Sequence, residues 1–192
     1  MPDPNPAALD FLLNRRSRPA KTLTGPVPTQ EELDIILTAA SRSPDHGKLE
    51  PWRFIVLNAA AMDRLADLAR TRGVALGHDA EKVEKGASQF VMGELAVVVV
   101  EVPRPSEKVP AIEQTYAVGG VCLALLNAAL ASGWGANWLS GWPSHDRAFV
   151  EGGLGLAGTE RVAGIIHIGT EKATPPERPR PDLKAITTWV DA

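Results

Sequence analysis

Residues Leu95–Val100 read Leu-Ala-Val-Val-Val-Val, six positions without a polar side chain. A strand that alternates keeps one face in water; a continuous β-branched run has both faces covered. Both faces of this strand must be covered, as in the middle of an α/β sheet. The rest of the sequence supplies the helices. Pro6–Arg15 predicts a first helix with Leu9, Leu12 and Leu13 on one face. Thr29-Gln30-Glu31-Glu32 is a capping box, in which Thr29 and Glu32 each satisfy a free amide of the other. The helix it opens aligns Leu33, Ile36, Leu37 and Ala40, and Pro44 stops it.

Further along, Arg53–Leu57 predicts a strand, and Asn58 caps a helix carrying Met62, Leu65 and Ala69 until Gly73. Ile112–Ser132 predicts a long buried helix. Gly135–Leu139 and Val162–Ile168 predict two more strands. Pro175-Pro176-Glu177-Arg178-Pro179-Arg180-Pro181 suits neither a sheet interior nor a helix middle, so about 173–192 reads as an extended C-terminal arm ending in the apolar Leu183–Val190. No repeat and no second domain is visible, and residues 1–192 read as one domain.

Composition removes several function classes. Twenty basic against 23 acidic residues leave a net charge of -3, without the broad basic field of a nucleic-acid binder. The single cysteine, Cys122, excludes an internal disulfide and a thiolate metal cluster, and fits a reducing cytoplasm. The four histidines lack metal-ligand spacing; His167 sits in an apolar strand, where a core role with a satisfied hydrogen bond is expected. Met1-Pro2-Asp3-Pro4 opens with neither a basic start nor an apolar run, so no secretory signal is expected. Ala117–Ala131, the most membrane-like stretch, falls short of the ~20 residues a bilayer span needs. Gly153-Leu154-Gly155-Leu156-Ala157-Gly158 spells a dinucleotide motif, but a helix precedes it and a strand follows, the reverse of the required order. It reads as a turn.

Two clusters remain. Arg15-Arg16-Ser17-Arg18 closes the first helix, where arginines answer the helix dipole; the same residues make an anion site, with planar guanidinium forks and a small hydroxyl. Arg42-Ser43-Pro44-Asp45-His46 forms a loop that runs on to Pro51-Trp52-Arg53-Phe54. Together with the glycine-bearing long helix, Gly133-Trp134-Gly135, Trp138-Leu139-Ser140-Gly141 and Gly169-Thr170, these pieces in this order make the chain resemble the nitroreductase family over nearly its whole length.

The resemblance implies an α+β fold, a mixed central sheet flanked by helices, and an intertwined homodimer with two FMN sites at the subunit interface. It implies that Arg15, Arg16 and Ser17 hold the FMN phosphate, ribityl chain and pyrimidine edge. Arg42 and His46 then reach the flavin bound mainly by the other subunit, and Trp138, Leu139 and Ser140 line the isoalloxazine near N5. Lys172 is a further phosphate candidate or a solvated loop lysine. No protein acid or base is assigned, because hydride passes to and from flavin N5. Two positions depart from the family pattern: Leu139 stands where a basic residue is usual, and Glu50 where a neutral amide is usual.

The function so implied is an FMN-dependent NAD(P)H oxidoreductase reducing nitroaromatics, quinones or similar flat acceptors. Trp134, Trp138 and Trp142 could wall such a site or belong to the core. The alternatives are a relative's flavin chemistry, such as reductive dehalogenation or cofactor breakdown, a flavin-binding protein without turnover, and a purely structural dimer. No nucleic acid or membrane partner is expected.

Overall fold

The computed structural model describes residues 3–190. Its elements run α1 (Pro6–Asn14), β1 (Leu23–Thr24), α2 (Gln30–Ala40), β2 (Trp52–Asn58), α3 (Ala59–Ala75), α4 (Ala80–Val91), β3 (Leu95–Glu101), α5 (Ala111–Ala131), β4 (Gly135–Leu139), α6 (Arg147–Leu154), β5 (Arg161–Glu171) and α7 (Leu183–Ile186). Thr29 and Glu32 form the expected reciprocal cap of α2, and Asn58 caps α3.

β3 is buried at every position and lies between β2 and β5. One face packs with α2 and α5 through Val97, Val99, Ile166 and Ile168. The other packs with α3, α4 and α6 through Val98, Val100, Phe90 and Phe149. The two covered faces that Leu95–Val100 demanded are thus present, and the α+β class holds.

The sheet differs from the implied mixed one in a specific way. Every strand pairing among the described residues is antiparallel. The connections explain it. A helical hairpin, α3 and α4, joins β2 to β3 and returns the chain to the end it left. The single helix α5 joins β3 to β4, which run parallel to each other but sit on opposite edges of β5 and never pair.

Other expectations need correction. Gly73 does not end α3; it lies inside the helix, where an added Cβ would come within 2.9 Å of Val83 Cγ2. Close helix packing, not termination, accounts for the glycine. α4 went unread, although Val83, Ala87 and Phe90 make an apolar stripe and Asp79 caps it. α5 is buried on one side only. Val118, Val121, Cys122 and Leu125 are fully enclosed, whereas Ile112, Tyr116 and Leu123 face outward. By length and composition α5 could cross a membrane, but its buried side packs on the sheet. Burial pushes the Cys122 thiol up to about 12, so it stays protonated and acts as a small apolar group. Gly155, at φ 66, caps α6 in the left-handed region, which makes the Gly153–Gly158 run the expected turn. The arm carries one short helix, α7, and the last two residues assigned to it lie outside the described residues.

His167 is in the core as expected, but without the expected hydrogen bond: no partner meets the geometry at either ring nitrogen. Burial lowers its pKa to about 4, only partly offset by the nearby Met92 and Gln89 backbone. The folded chain therefore keeps His167 neutral while the unfolded chain protonates it below its ordinary value. The stability this confers is complete above about pH 6.5 and is lost as pH falls toward 4. Between pH 7 and 5 the loss from this group amounts to about 2 kcal/mol. Urea unfolding of the wild type should show that loss, and His167→Leu should flatten it; equal slopes in the two proteins would exclude His167 as the cause.

Candidate functional site

The arginine segment is positioned by backbone pairing. Past the end of α1 the chain turns extended at Arg15 (φ -56, ψ 143) and runs along the outer edge of β4. Arg18 N donates to Ala136 O at 2.8 Å, and Asn137 Nδ2 donates to Arg18 O at 2.7 Å. The chain then enters β1, which pairs with the end of β5, and Lys172 N donates to Thr22 O at 3.0 Å. Segments around residues 15–18, 134–137 and 170–172, far apart in sequence, thus meet at one end of the sheet.

Their side chains concentrate positive charge. Arg15 Nη2 donates to Ser17 Oγ at 3.0 Å, and Arg16 Nη2 donates to Pro176 O at 3.2 Å. The Nε atoms of both arginines are buried without a partner. Burial, then the charges of Arg180, Arg16 and Arg18, depress the Arg15 pKa. Arg15, Arg16, Arg18, Trp134 and Glu171 line a cavity of about 470 Å³. Unpartnered, half-buried guanidinium donors repelling one another are a donor set for a polyanion, and they fit a phosphomonoester such as that of FMN. Arg180 and Glu171 were missed in the sequence. The Arg-Pro alternation at 178–181 was the one available signal, and it reads equally as an extended arm.

β4 begins beside this cavity, after Gly133 and Trp134, and runs away from it to Leu139. Trp138 stands opposite Ile166 and is 38% exposed. Its indole lies against Gly164, where an added Cβ would be 2.1 Å from Nε1, so only glycine seats it there. Leu139 makes the last pair, with Ile165, and is half-buried. Ser140 is exposed, its Oγ 3.4 Å from His145 Nε2 in the 3-10 turn that follows. Trp142 is structural: its Nε1 donates to Lys82 O at 3.0 Å, and the ring packs against Gly86 of α4. Lys172 is exposed and does not line the arginine cavity.

Arg42 and His46 lie elsewhere. Arg42 follows α2 and borders a shallow cleft with Asp34, Ile35 and Thr38. His46 opens a tight loop with three left-handed residues, Gly47 (φ 78), Lys48 (φ 53) and Glu50 (φ 47). Asp45 holds that loop, its Oδ2 accepting from Leu49 N at 2.6 Å and Glu50 N at 3.1 Å. His46 Nδ1 is 2.7 Å from Glu113 Oε2 in the first turn of α5, and both border a cleft with Tyr116 and Gly120. This cleft adjoins the outward face of α5. Arg53 of the Pro-Trp-Arg-Phe stretch is also structural. Its fork meets both Glu160 oxygens at 2.7 Å and holds that carboxyl down to about 2.

The comparisons with known proteins agree with one another. The model of the nitroreductase family matches residues 12–170. YdjA of Escherichia coli K12, provisionally named an NAD(P)H nitroreductase, is 32% identical over 94% of this chain and 92% of its own length. Among solved structures, a nitroreductase-like family protein from Bacillus cereus superposes with a TM-score of 0.81 at 22% identity, covering 100% of both chains. A provisionally assigned nitroreductase from Desulfovibrio desulfuricans, solved in complex with FMN, does so with 0.73 at 20% identity over 98% of this chain and 99% of its own. With a family match across more than three quarters of its length and 32% identity to a near full-length relative, this chain belongs to the nitroreductase family.

Proposed function

We propose that the chain is an FMN-dependent NAD(P)H oxidoreductase that passes hydride from the nicotinamide to nitroaromatic, quinone or similar flat acceptors. The observation that carries this reading is the arginine segment lying along β4 with unpartnered guanidinium donors. The FMN complex of the Desulfovibrio neighbour and the NAD(P)H nitroreductase name of the Escherichia relative supply the cofactor and the reductant.

Bound there, FMN would supply two-electron hydride chemistry at N5. Arg15 and Arg16 hold the phosphate by charge-assisted hydrogen bonds, and Ser17 adds a hydroxyl. Trp138, Leu139 and Ser140 present the end of β4 to the ring system. Leu139 offers only backbone groups at the flavin edge, so the cationic residues carry the electrostatics of reduction. Arg180, whose charge acts on Arg15, adds to the positive field at the phosphate end, and Lys172 is a further phosphate candidate.

The working unit is a homodimer in this reading. Leu9, Leu12 and Leu13 of α1 and Ile112, Tyr116 and Leu123 of α5 are exposed, as are Leu183, Ile186, Trp189 and Val190 of the arm. That is more outward apolar surface than a monomer of this size carries without covering it. A second copy across α5 brings Arg42 and His46 to the flavin held by the first copy's Arg15–Ser17. His46 can donate a hydrogen bond there and, protonated, favour the anionic reduced form.

Three outcomes follow. Arg15→Ala should weaken FMN binding by ~1.5–3 kcal/mol, the range for hydrogen bonds to charged groups, and leave riboflavin binding unchanged. Equal losses for both ligands would restore the helix-end role of Arg15. Light scattering should give a dimer at micromolar concentration, with an interface above ~2,000 Å²; a stable monomer contradicts it. NADH or NADPH should bleach the protein-bound flavin anaerobically, and a nitroaromatic or quinone should restore its colour. A flavin that binds but is never reduced would make this a binding protein.

A further inference from the structure

The arginine cavity contains two acids, Asp10 of α1, whose Oδ1 accepts from Asn14 Nδ2 at 2.8 Å, and Glu171. Glu171, the last residue of β5, lines it together with Arg15 and Arg16. A free carboxylate facing an incoming phosphate would oppose its binding. Arg18 closes on that carboxylate: its Nε bonds Glu171 Oε2. Its Nη1 donates to Arg16 O at 2.8 Å, fixing the backbone that carries the two open arginines. The main chain of Arg18 is in turn held on β4 by Ala136 O and by the Asn137 side chain. The three cations of this segment therefore divide. Arg15 and Arg16 keep buried donors without partners, whereas the Arg18 side chain, 19% exposed, is committed to Glu171 and Arg16.

We propose that Arg18 is a positioning residue of the flavin-phosphate site, neutralising Glu171 and bracing Arg16 so that the phosphate meets Arg15 and Arg16 without the Glu171 carboxylate opposing it. This rests on the reading of the cavity as the FMN phosphate site and assigns the Arg18–Glu171 pair a role within it. Selectivity for the phosphorylated flavin then depends on a residue pair that never touches it.

The test titrates full-length apoprotein with FMN and with riboflavin, read by flavin fluorescence, for wild type, Arg18→Met, Glu171→Gln and the double variant. Arg18→Met should weaken FMN roughly tenfold or more and riboflavin by less than about threefold. Adding Glu171→Gln to it should recover most of the FMN loss, and Glu171→Gln alone should not weaken FMN binding. Equal losses of FMN and riboflavin without recovery would reduce Arg18 to a structural residue and overturn the proposal. So would a loss of FMN in Glu171→Gln alone, which would make Glu171 a ligand. Should Arg18→Met fail to fold, the double variant decides: FMN affinity within about threefold of wild type supports the pair, and weaker binding overturns it. Arg15→Ala separates the two levels. Without FMN-selective loss there, the phosphate site itself fails; with it, and without recovery in the Arg18–Glu171 series, only the role of the pair fails.

Discussion

The pairing of β5 along both edges holds core and site in one frame. On one side it accepts β3, and on the other β4, while its last residues pair with β1. Its buried middle, Ile165–Ile168, contributes to both hydrophobic layers. Its end fixes where β1 begins and therefore where the arginine segment can lie. The cationic cavity thus inherits the rigidity of the strand ladder, although its residues stand on a stretch with no regular structure. Charge brought together in this way costs free energy in the empty site, and binding an anion returns it. Arg15, with its pKa lowered by burial and by three neighbouring guanidiniums, is where that cost is most visible.

α5 links this frame to the proposed assembly. Its inner side fills the core, and its first turn meets His46 through Glu113. Its outer side carries Ile112, Tyr116 and Leu123 with nothing among the described residues to cover them. Within one chain the Arg15 cavity and the His46 cleft have no lining residue in common. In the proposed reading, a second copy completes a flavin site that uses both sets of residues.

Much of this was legible in the sequence because local signals and burial agreed. The capping box at Thr29, the cap at Asn58 and the apolar run at Leu95 each have one physical reading, and each is present. The extent of helices was less legible where a glycine serves packing: Gly73 looks like a stop until Val83 and Trp142 are seen against it. Strand direction was illegible, since the sheet's antiparallel order depends on a helical hairpin whose second helix went unread. At the site, Arg15–Ser17 and Trp138–Ser140 stood out; the structure sets the arginine segment beside Ala136 and Asn137 of β4 and leaves Trp138–Ser140 at the far end of that strand. Glu171 and Arg180 did not, because their meaning comes from neighbours more than 150 residues away in sequence. Asn137 is similar: nothing local distinguishes an amide that holds the Arg18 carbonyl from one exposed to solvent.

The central claim is that each flavin is held by Arg15–Ser17 of one subunit and met by His46 of the other, and a mixed dimer tests it most directly. A His46→Ala chain is paired with an Arg15→Ala chain, the heterodimer is isolated by two tags, and its flavin content and midpoint potential are measured. If the residues serve opposite subunits' flavins, one site carries neither defect when the two changed residues converge on the other. About half of the flavin should then bind and titrate as in the wild type, by the independence of separate sites. Two sites that are each singly impaired, with no wild-type fraction, would place both residues around the same subunit's flavin and contradict the account.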